Sequence, residues 1–386
     1  MTSYPISLCD TPALSDQSTL DSAIDCLMAH LPLDMNGSYT VREVFEILVR
    51  AASRGESLEQ TVRSLKGAPS SNGIRYHLEK LDDMQALEAQ VNAALHSRIP
   101  PKVRKGRHRL AIDLHLIPYY GVPTEAEASY VYRSQAKAGT TRFFAYATVY
   151  VICRNKRVTL GVHAVPCDET LVATLTYLLA MLSPLQVRVK RLLLDRGFYA
   201  VPVIRWLKAL NIPFLMPAVI RGKTGGTRAL LVGRKSYFTT YTLNSSTYGS
   251  ISCRIAVVCG YLKGFKQQHG IRYALYVLHR VKVALPQIHA YYRERFGIET
   301  SYRLKNQGRI RTTTKNPILR LLFVALAFIL VNLWIYLLWY FVSRPRPGGR
   351  VVYQQLFPLK IMLDFLAHAV ERRFPPITAI FLPALN

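Results

Sequence analysis

The stretch "RLLLDRGFYA", residues 191–200, decides the fold that the sequence predicts. Its aliphatic run, Leu192 to Leu194, is typical of a buried strand, and the strand ends at Asp195. Asp195 could simply close the strand and, with Gly197 behind it, open a turn. It could also be one of the carboxylates that α/β proteins keep at the carboxyl ends of sheet strands, where ligands bind. Partners elsewhere in the chain decide between these two interpretations.

The segments around this stretch predict a mixed sheet. Residues 109–117 are short and β-rich, and residues 141–165 read as a hairpin that turns at Arg154 to Arg157. Helical segments at 168–182 and 199–210 then alternate with strands. Early strands followed by alternating helix and strand indicate the ribonuclease H type of fold. The predicted fold class is α/β: a ribonuclease H-like mixed sheet with a β-rich insertion, an N-terminal helical domain and a C-terminal helical part.

The N-terminal region divides into an acidic and a helical part. Residues 1–40 carry five aspartates and no lysine or arginine, so we predict an acidic, poorly ordered leader. Apolar residues then recur at helical spacing from Val41 to Ala52, and Gly55 is placed to end that helix. Three short helices within 41–99 favour a DNA-binding domain of the helix-turn-helix type. A helical cap on the next domain, without a DNA role, is the alternative.

The charge of the chain indicates a polyanionic partner. Its 386 residues include 50 Lys and Arg against 23 Asp and Glu, a formal net charge of +27, which favours nucleic acid or an acidic membrane surface. The segment 100–110, "PPKVRKGRHRL", reads as a basic linker. We predict that Arg104, Lys105 and Arg107 follow DNA phosphates, with a solvated hinge as the alternative.

Three acidic residues form the candidate catalytic set. Asp113 lies in a strand among aliphatic residues, as Asp195 does, and adjacent strands would bring the two within about 5 Å. Glu299 lies in "YYRERFGIETSYRLKN", residues 291–306. In that segment a polar stripe at helical spacing runs through Tyr292, Arg295, Glu299 and Arg303. Carboxylates of this kind bind a shared metal ion through hard oxygens.

These residues resemble the DDE insertion-sequence transposases of the YREK-signature group. The resemblance rests on Asp113, on Asp195 followed by Arg-Gly-Phe-Tyr, and on the Y-x-x-R-x-x-x-E pattern that ends at Glu299. It covers residues 40–345. It implies DNA cleavage and strand transfer by two Mg²⁺ ions, or Mn²⁺, held by Asp113, Asp195 and Glu299.

The resemblance also implies DNA contacts and an assembly. Tyr292 and Arg295 would contact the phosphates of the transposon ends. The lysine of the family pattern falls on Asn306, so Lys305 or Arg303 takes its role. The partners implied are terminal inverted repeats and target DNA, bound by a homodimer in the cytoplasm, in association with the nucleoid.

Other functions stay open at this stage. The segment 321–342, "LLFVALAFILVNLWIYLLWYFV", is long and apolar enough to span a bilayer, so a membrane-anchored basic protein is one alternative. We favour a core helix packed under the sheet. A ribonuclease H-like nuclease without strand transfer and a DNA-binding regulator with vestigial acids are the others. A nucleotide cofactor is not expected, because "RGKTGG" has Pro217 where a phosphate-binding loop needs glycine.

The predicted organisation has seven parts. They are a leader (1–40), a helical DNA-binding domain (41–99), a basic linker (100–110), the first part of the catalytic domain (111–220), a β-rich insertion (221–280), the rest of the catalytic domain with the Glu299 helix and the apolar helix (281–345), and a helical tail (346–386).

Overall fold

The computed structural model describes residues 13–153, 158–263 and 269–380. The described chain divides into two compact units. One contains residues 1–100 together with 301–386, and the other contains residues 101–300. The predicted hairpin turn at 154–157 lies outside the described residues, as does Asp10 of the acidic leader.

The first unit is mainly helical, and the second contains helices as well as a sheet. In the second helix the side chain of Thr40 accepts from the amide of Glu43 and the side chain of Glu43 accepts from the amide of Thr40, and Gly55 ends that helix with positive φ. The helices are α1 Asp16–His30, α2 Val41–Arg54, α3 Leu58–Arg63, α4 Ser71–Leu78, α5 Met84–Ser97, α6 Glu125–Ala128, α7 Leu171–Ala180, α8 Val201–Ala209, α9 Ile288–Arg293, α10 Phe296–Gln307, α11 Pro317–Tyr340 and α12 Leu359–Arg373.

A mixed sheet of nine described strands forms the second unit. Its order is β2-β3-β1-β5-β6-β9-β8-β7, with β4 paired to β3. The strands are β1 Gly106–Pro118, β2 Val131–Lys137, β3 Thr140–Val151, β4 Thr159–Ala164, β5 Val187–Leu194, β6 Phe214–Pro217, β7 Tyr237–Ser245, β8 Gly249–Lys263 and β9 His269–His279; a separate hairpin in the first unit joins β10 Ser343–Arg346 to β11 Gly349–Val352.

The predicted ribonuclease H-like fold class is confirmed by this sheet. Strands β1 and β5 are parallel neighbours, as the two aliphatic runs around Asp113 and Asp195 predicted. The β-rich insertion is present, but it is not a separate layer. Strand β9 pairs antiparallel with β6, so β7, β8 and β9 continue the central sheet.

The leader prediction is wrong for the part that the structure describes. Residues 16–30 form helix α1, which buries Leu20, Ile24 and Leu27 against the other helices of its unit. Two of its three acids are paired: Asp21 with Arg42 of α2, and Asp16 with Arg372 of α12. The acidic composition therefore reflects ion pairs with basic helices that lie far away in sequence.

The helical regions at the two ends of the chain form one unit, which corrects the predicted domain boundaries. Helices α1 and α2 both pack on α12, and α5 packs on α11. Arg50 of α2 donates to Glu371 of α12 at 2.9 Å. Helix α12 lies within the predicted tail, residues 346–386, whereas the hairpin of β10 and β11 was not predicted. The basic linker is also shorter than predicted, because strand β1 already begins at Gly106.

The apolar helix α11 is the core of this helical unit. It is the one described helix long and apolar enough to cross a membrane, and 94% of its most apolar window is buried inside the protein. Asn332 is fully buried and donates to the carbonyl of Leu95 in α5, and Trp334 donates to the carbonyl of Phe357. Helices α1, α2, α5 and α12 of its own unit pack on it. Packing of this helix under the sheet stays a prediction.

Candidate active site

Asp113, within β1, and Asp195, directly after the last residue of β5, lie side by side where the pairing of the two strands ends. The register pairs Ile112 of β1 with Leu194 of β5, and the residues that follow these two are Asp113 and Asp195. Asp195 follows the last residue of β5 and opens a short 3₁₀ turn, Arg196–Phe198; its Oδ1 accepts from the amide of Arg196 at 2.5 Å. Asp195 therefore ends the strand and also presents a carboxylate beside Asp113.

Arg295 links Asp113 to Glu299. Its Nη1 donates to Asp113 Oδ2 at 3.0 Å, and its Nη2 donates to Glu299 Oε1 at 3.0 Å. The guanidinium is almost enclosed, and the side chain of Asp113 is 14% exposed, whereas that of Glu299 is 42% exposed. One cation thus holds two of the three predicted acids near each other.

Tyr292 fixes the orientation of Arg295. Its hydroxyl oxygen accepts from Arg295 Nε at 3.0 Å. The predicted helical stripe is interrupted, because α9 ends at Arg293 and α10 begins at Phe296. Hydrogen bonds between residues three apart bridge the interruption, so the i, i+3 and i, i+4 spacings of the motif persist.

The charges around Asp113 change its acidity. Burial is the largest cause and raises the pKa of Asp113 to about 6, Arg295 acts in the opposite direction, and the charge of Asp195 adds to the increase. Burial also raises the pKa of Tyr292 far above its ordinary value, so this residue is a neutral phenol. The site is a partly buried group of acids with an excess of negative charge beside one arginine.

The predicted DNA-contacting residues fall into two groups. Arg104, Lys105, Arg107 and Arg303 are exposed, so their DNA contacts stay predictions. Tyr292, Arg295 and Lys305 are buried. For Tyr292 and Arg295 the expected grip on phosphates does not match the structure, because their polar groups bind each other and the acids.

Lys305 needs the same correction, since its side chain is 0% exposed and its Nζ lies 5.5 Å from the ring centroid of Phe328 in the helical unit. The next residue, Asn306, is exposed. A helix turns about 100° per residue, so the shift of one position from the family pattern moves the lysine from the surface to the interior.

The three acids do not form a ready ligand set. Among the residues that the structure describes, no three His, Cys, Asp or Glu side chains are grouped closely enough to hold a metal ion. Arg295 explains this arrangement, because it occupies the space between Asp113 and Glu299. The sequence indicated this bridge only through the i, i+4 spacing of Arg295 and Glu299.

Comparison with known families identifies the family of proteins to which this chain belongs. The model of the family described as "Transposase DDE domain" matches residues 104–333, which include all three acids. The chain belongs to the DDE transposase family. It is therefore a DNA transposase, an enzyme that cuts and joins DNA strands, and transposases of this family use divalent metal ions.

One solved structure shows the same fold. The cryo-EM structure of the piggyBac transposase synaptic complex with hairpin DNA is similar to this transposase with a TM-score of 0.55 and 12% identity; the similarity covers 92% of this chain and 78% of that chain. At this identity the likeness concerns the fold alone. No curated protein matches the chain.

Proposed function

We propose that this transposase cuts DNA at the ends of its element and joins the freed 3′-hydroxyl to target DNA, with Asp113, Asp195 and Glu299 as the metal ligands. The observation that carries the proposal is the convergence of these acids around Arg295: two lie on adjacent strands where the pairing of β1 with β5 ends, and the third shares the guanidinium with Asp113. Carboxylates at the carboxyl edge of a sheet are the groups that this chemistry needs.

The residues present fit a divalent cation. The donors are hard carboxylate oxygens, and a guanidinium already bonds to two of them as a cation would. Burial, the main cause of the raised pKa of Asp113, disfavours its carboxylate, and a bound divalent cation would add to the stabilisation of that carboxylate by Arg295. We propose two Mg²⁺ ions, or Mn²⁺, which when bound activate the attacking oxygen and stabilise the leaving oxygen.

The protein's own residues position the reacting groups. Asp195 is held by the amide of Arg196, and Arg295 keeps the carboxylates of Asp113 and Glu299 oriented through its bond to Tyr292. In the first reaction water attacks the phosphodiester at the transposon end and frees a 3′-hydroxyl. In the second, that hydroxyl attacks a target phosphate and a new phosphodiester replaces the broken one.

Replacing Arg295 by Met is expected to destabilise the protein without metal and to increase its response to metal. The variant loses two charge-assisted hydrogen bonds and leaves a buried carboxylate without its counter-ion, so the free energy of unfolding falls by about 2 kcal/mol. Added Mn²⁺ should then raise the Tm of Arg295→Met more than that of the wild type, because the carboxylates no longer share the guanidinium. Thermal unfolding with and without MnCl₂ measures both effects.

The matched control is Arg293→Met, which removes the same charge from an exposed position on α9. Its stability and its response to Mn²⁺ should follow the wild type. An equal or smaller gain in Tm for Arg295→Met than for the wild type would contradict the assignment of these carboxylates to a metal.

A joining assay separates the transposase from a nuclease that only cuts. The protein is incubated with Mg²⁺, a labelled duplex that ends in the element's terminal repeat, and a supercoiled target plasmid. We expect the label to appear covalently in the plasmid, because the freed 3′-hydroxyl attacks it. Cleaved ends without any labelled plasmid, under conditions where cleavage is complete, would favour the nuclease.

The finer assignments are also proposals. The Y-x-x-R-x-x-x-E spacing from Tyr292 to Glu299 supports membership in the YREK-signature group, although Asn306 stands where that pattern has lysine. Pairing of two terminal inverted repeats in one reaction supports a homodimer on DNA. We place the reaction in the cytoplasm, in association with the nucleoid.

A further inference from the structure

A basic cleft lies in the sheet-containing unit near the amino end of β1 and the middle of β5. Its volume is about 570 Å³, and apolar atoms of Pro213, Leu278 and Val281 contribute to its lining. Among the residues that the structure describes, its lining contains no acid. Its charged lining residues are Arg107, Lys190, Arg191, Arg254, Arg280 and Lys282.

The cleft opens on the face of the sheet that carries Asp113. Ala111, which shares a face with Asp113, is in register with Leu193; Leu193 is in register with Leu215, Leu215 with Leu278, and Leu278 with Arg254. Side chains in register lie on one face, and residues two apart on a strand share that face.

Arg191, two residues before Leu193 on β5, points to the same side as the acids. The register of β1 and β5 shifts between Arg107 and Asp113, so Arg107 is placed only by its distance along β1. Since strand β1 rises about 3.3 Å per residue, Arg107 lies about 20 Å along the sheet from Asp113. The cleft and the catalytic acids therefore lie at separate positions on the same face of the sheet.

Arg191 is the residue of this cleft best placed to donate hydrogen bonds to an anion. It is 9% exposed, and its guanidinium lies 4.1 Å from the ring centroid of Tyr291 on α9. Its Nη1 has no hydrogen-bond partner within the described part of the chain. The nearby carboxylate of Glu294 bonds to Arg109 at 2.5 Å. A buried guanidinium that is held on a ring and keeps an unused donor is suited to an anion that comes from outside.

From this arrangement we infer that the cleft binds phosphate groups of a DNA backbone, about four to six nucleotides away from the phosphate at the catalytic acids. The spacing follows from about 13 Å between Arg191 and Asp195 along β5, about 20 Å between Arg107 and Asp113 along β1, and the 3.4 Å rise per nucleotide of one strand. The cations also extend from β1 across β5, β6 and β9 to β8, which is four strand spacings or about 19 Å. That width suits several backbone phosphates better than one small phosphate compound.

The inference rests on the proposed function only in that DNA is the substrate. It predicts contacts that position a duplex and read no bases, since phosphate contacts carry no sequence information. It also extends the sequence prediction for Arg107, which becomes part of a cleft and not of a linker.

The test compares two double variants in DNA binding without metal, so that no turnover is needed. Arg254→Gln with Lys282→Gln removes two exposed charges from the cleft. Arg234→Gln with Lys235→Gln removes two exposed charges from the β-rich insertion, outside the cleft. For the cleft pair we expect at least a tenfold loss of affinity for duplex DNA. We also expect the slope of log K against log salt to flatten by about two, near one per lost phosphate contact.

The control pair should change both quantities much less. Equal effects of the two pairs, or no effect of the cleft pair, overturn the inference. Circular dichroism and melting check the fold of each protein. If the double variant is not folded, the single Arg280→Gln variant replaces it, with an expected slope change of about one.

Titration with inorganic phosphate, followed by ³¹P NMR, tests whether the cleft binds a small phosphate compound instead of DNA. Loss of phosphate binding in the cleft pair with unchanged DNA affinity would assign the cleft to a small phosphate compound and overturn the inference. The binding assay contains no metal and needs no turnover. A wrong assignment of the catalytic acids would therefore leave this binding test intact.

Discussion

An Asp195→Asn transposase is expected to lose both DNA cleavage and strand transfer, by about a thousandfold or more in rate. The amide is as large as the carboxylate but is neutral, so it binds a divalent cation poorly. The oxygen that accepts from the amide of Arg196 is retained, so the turn after β5 should still form. Cleavage of a labelled end duplex in Mg²⁺, and joining of that duplex to a plasmid, measure the two reactions.

Asp168→Asn is the matched control, because Asp168 is exposed in the same unit and outside the site. It should cut and join DNA at wild-type rates. Wild-type activity of Asp195→Asn would mean that this carboxylate takes no part in catalysis. In that case the alternative of a DNA-binding regulator with vestigial acids gains support.

Replacing Lys305 by Met is expected to stabilise the protein at pH 7 and to remove a pH dependence. Burial is the main cause that lowers the pKa of Lys305 from 10.5 to about 7, and the charge of Arg309 adds to it. Between those two values the unfolded chain holds a proton that the native protein lacks. The free energy of unfolding of the wild type therefore rises as the pH is raised from about 7 to about 10.5, by up to about 1.4 kcal/mol per pH unit.

The methionine introduced by Lys305→Met keeps an unbranched apolar chain beside Phe328 and carries no proton. Urea unfolding of both proteins at several pH values between about 7 and about 10 measures the effect as a difference, so that other groups titrating in this range cancel. Lys315→Met, at an exposed position, should run parallel to the wild type. Parallel pH profiles of wild type and Lys305→Met would show that the buried lysine stays protonated in the native protein.

The positions of the acids differ in how far they could be predicted. Asp113 and Asp195 each end or interrupt an aliphatic run, and such runs become neighbouring strands in a mixed sheet, so their adjacency followed from local pattern. Glu299 was found through the helical spacing of its motif. The bond from Arg295 to Asp113 could not be found this way, because it joins residues 182 positions apart.

Burial explains the errors elsewhere. Lys305 reads as a surface residue by composition, and only the packing of α10 in the helical unit shows that its side chain is enclosed. Helix α1 reads as a disordered acidic leader because the arginines that pair with it belong to α2 and α12. Helix α11 reads equally well as a membrane span, since hydropathy does not distinguish lipid from a covering of amphipathic helices.

The sequence by itself determined the class of sheet, the two aspartates on its neighbouring strands and the motif that carries Glu299, because all of these depend on periodicity over a few residues. Only the tertiary structure decided that Arg295 lies between the acids, that Lys305 is buried, and that basic side chains of separate strands line one cleft. These features arise from contacts between segments far apart in the chain. Such contacts depend on register and packing, which local composition does not encode.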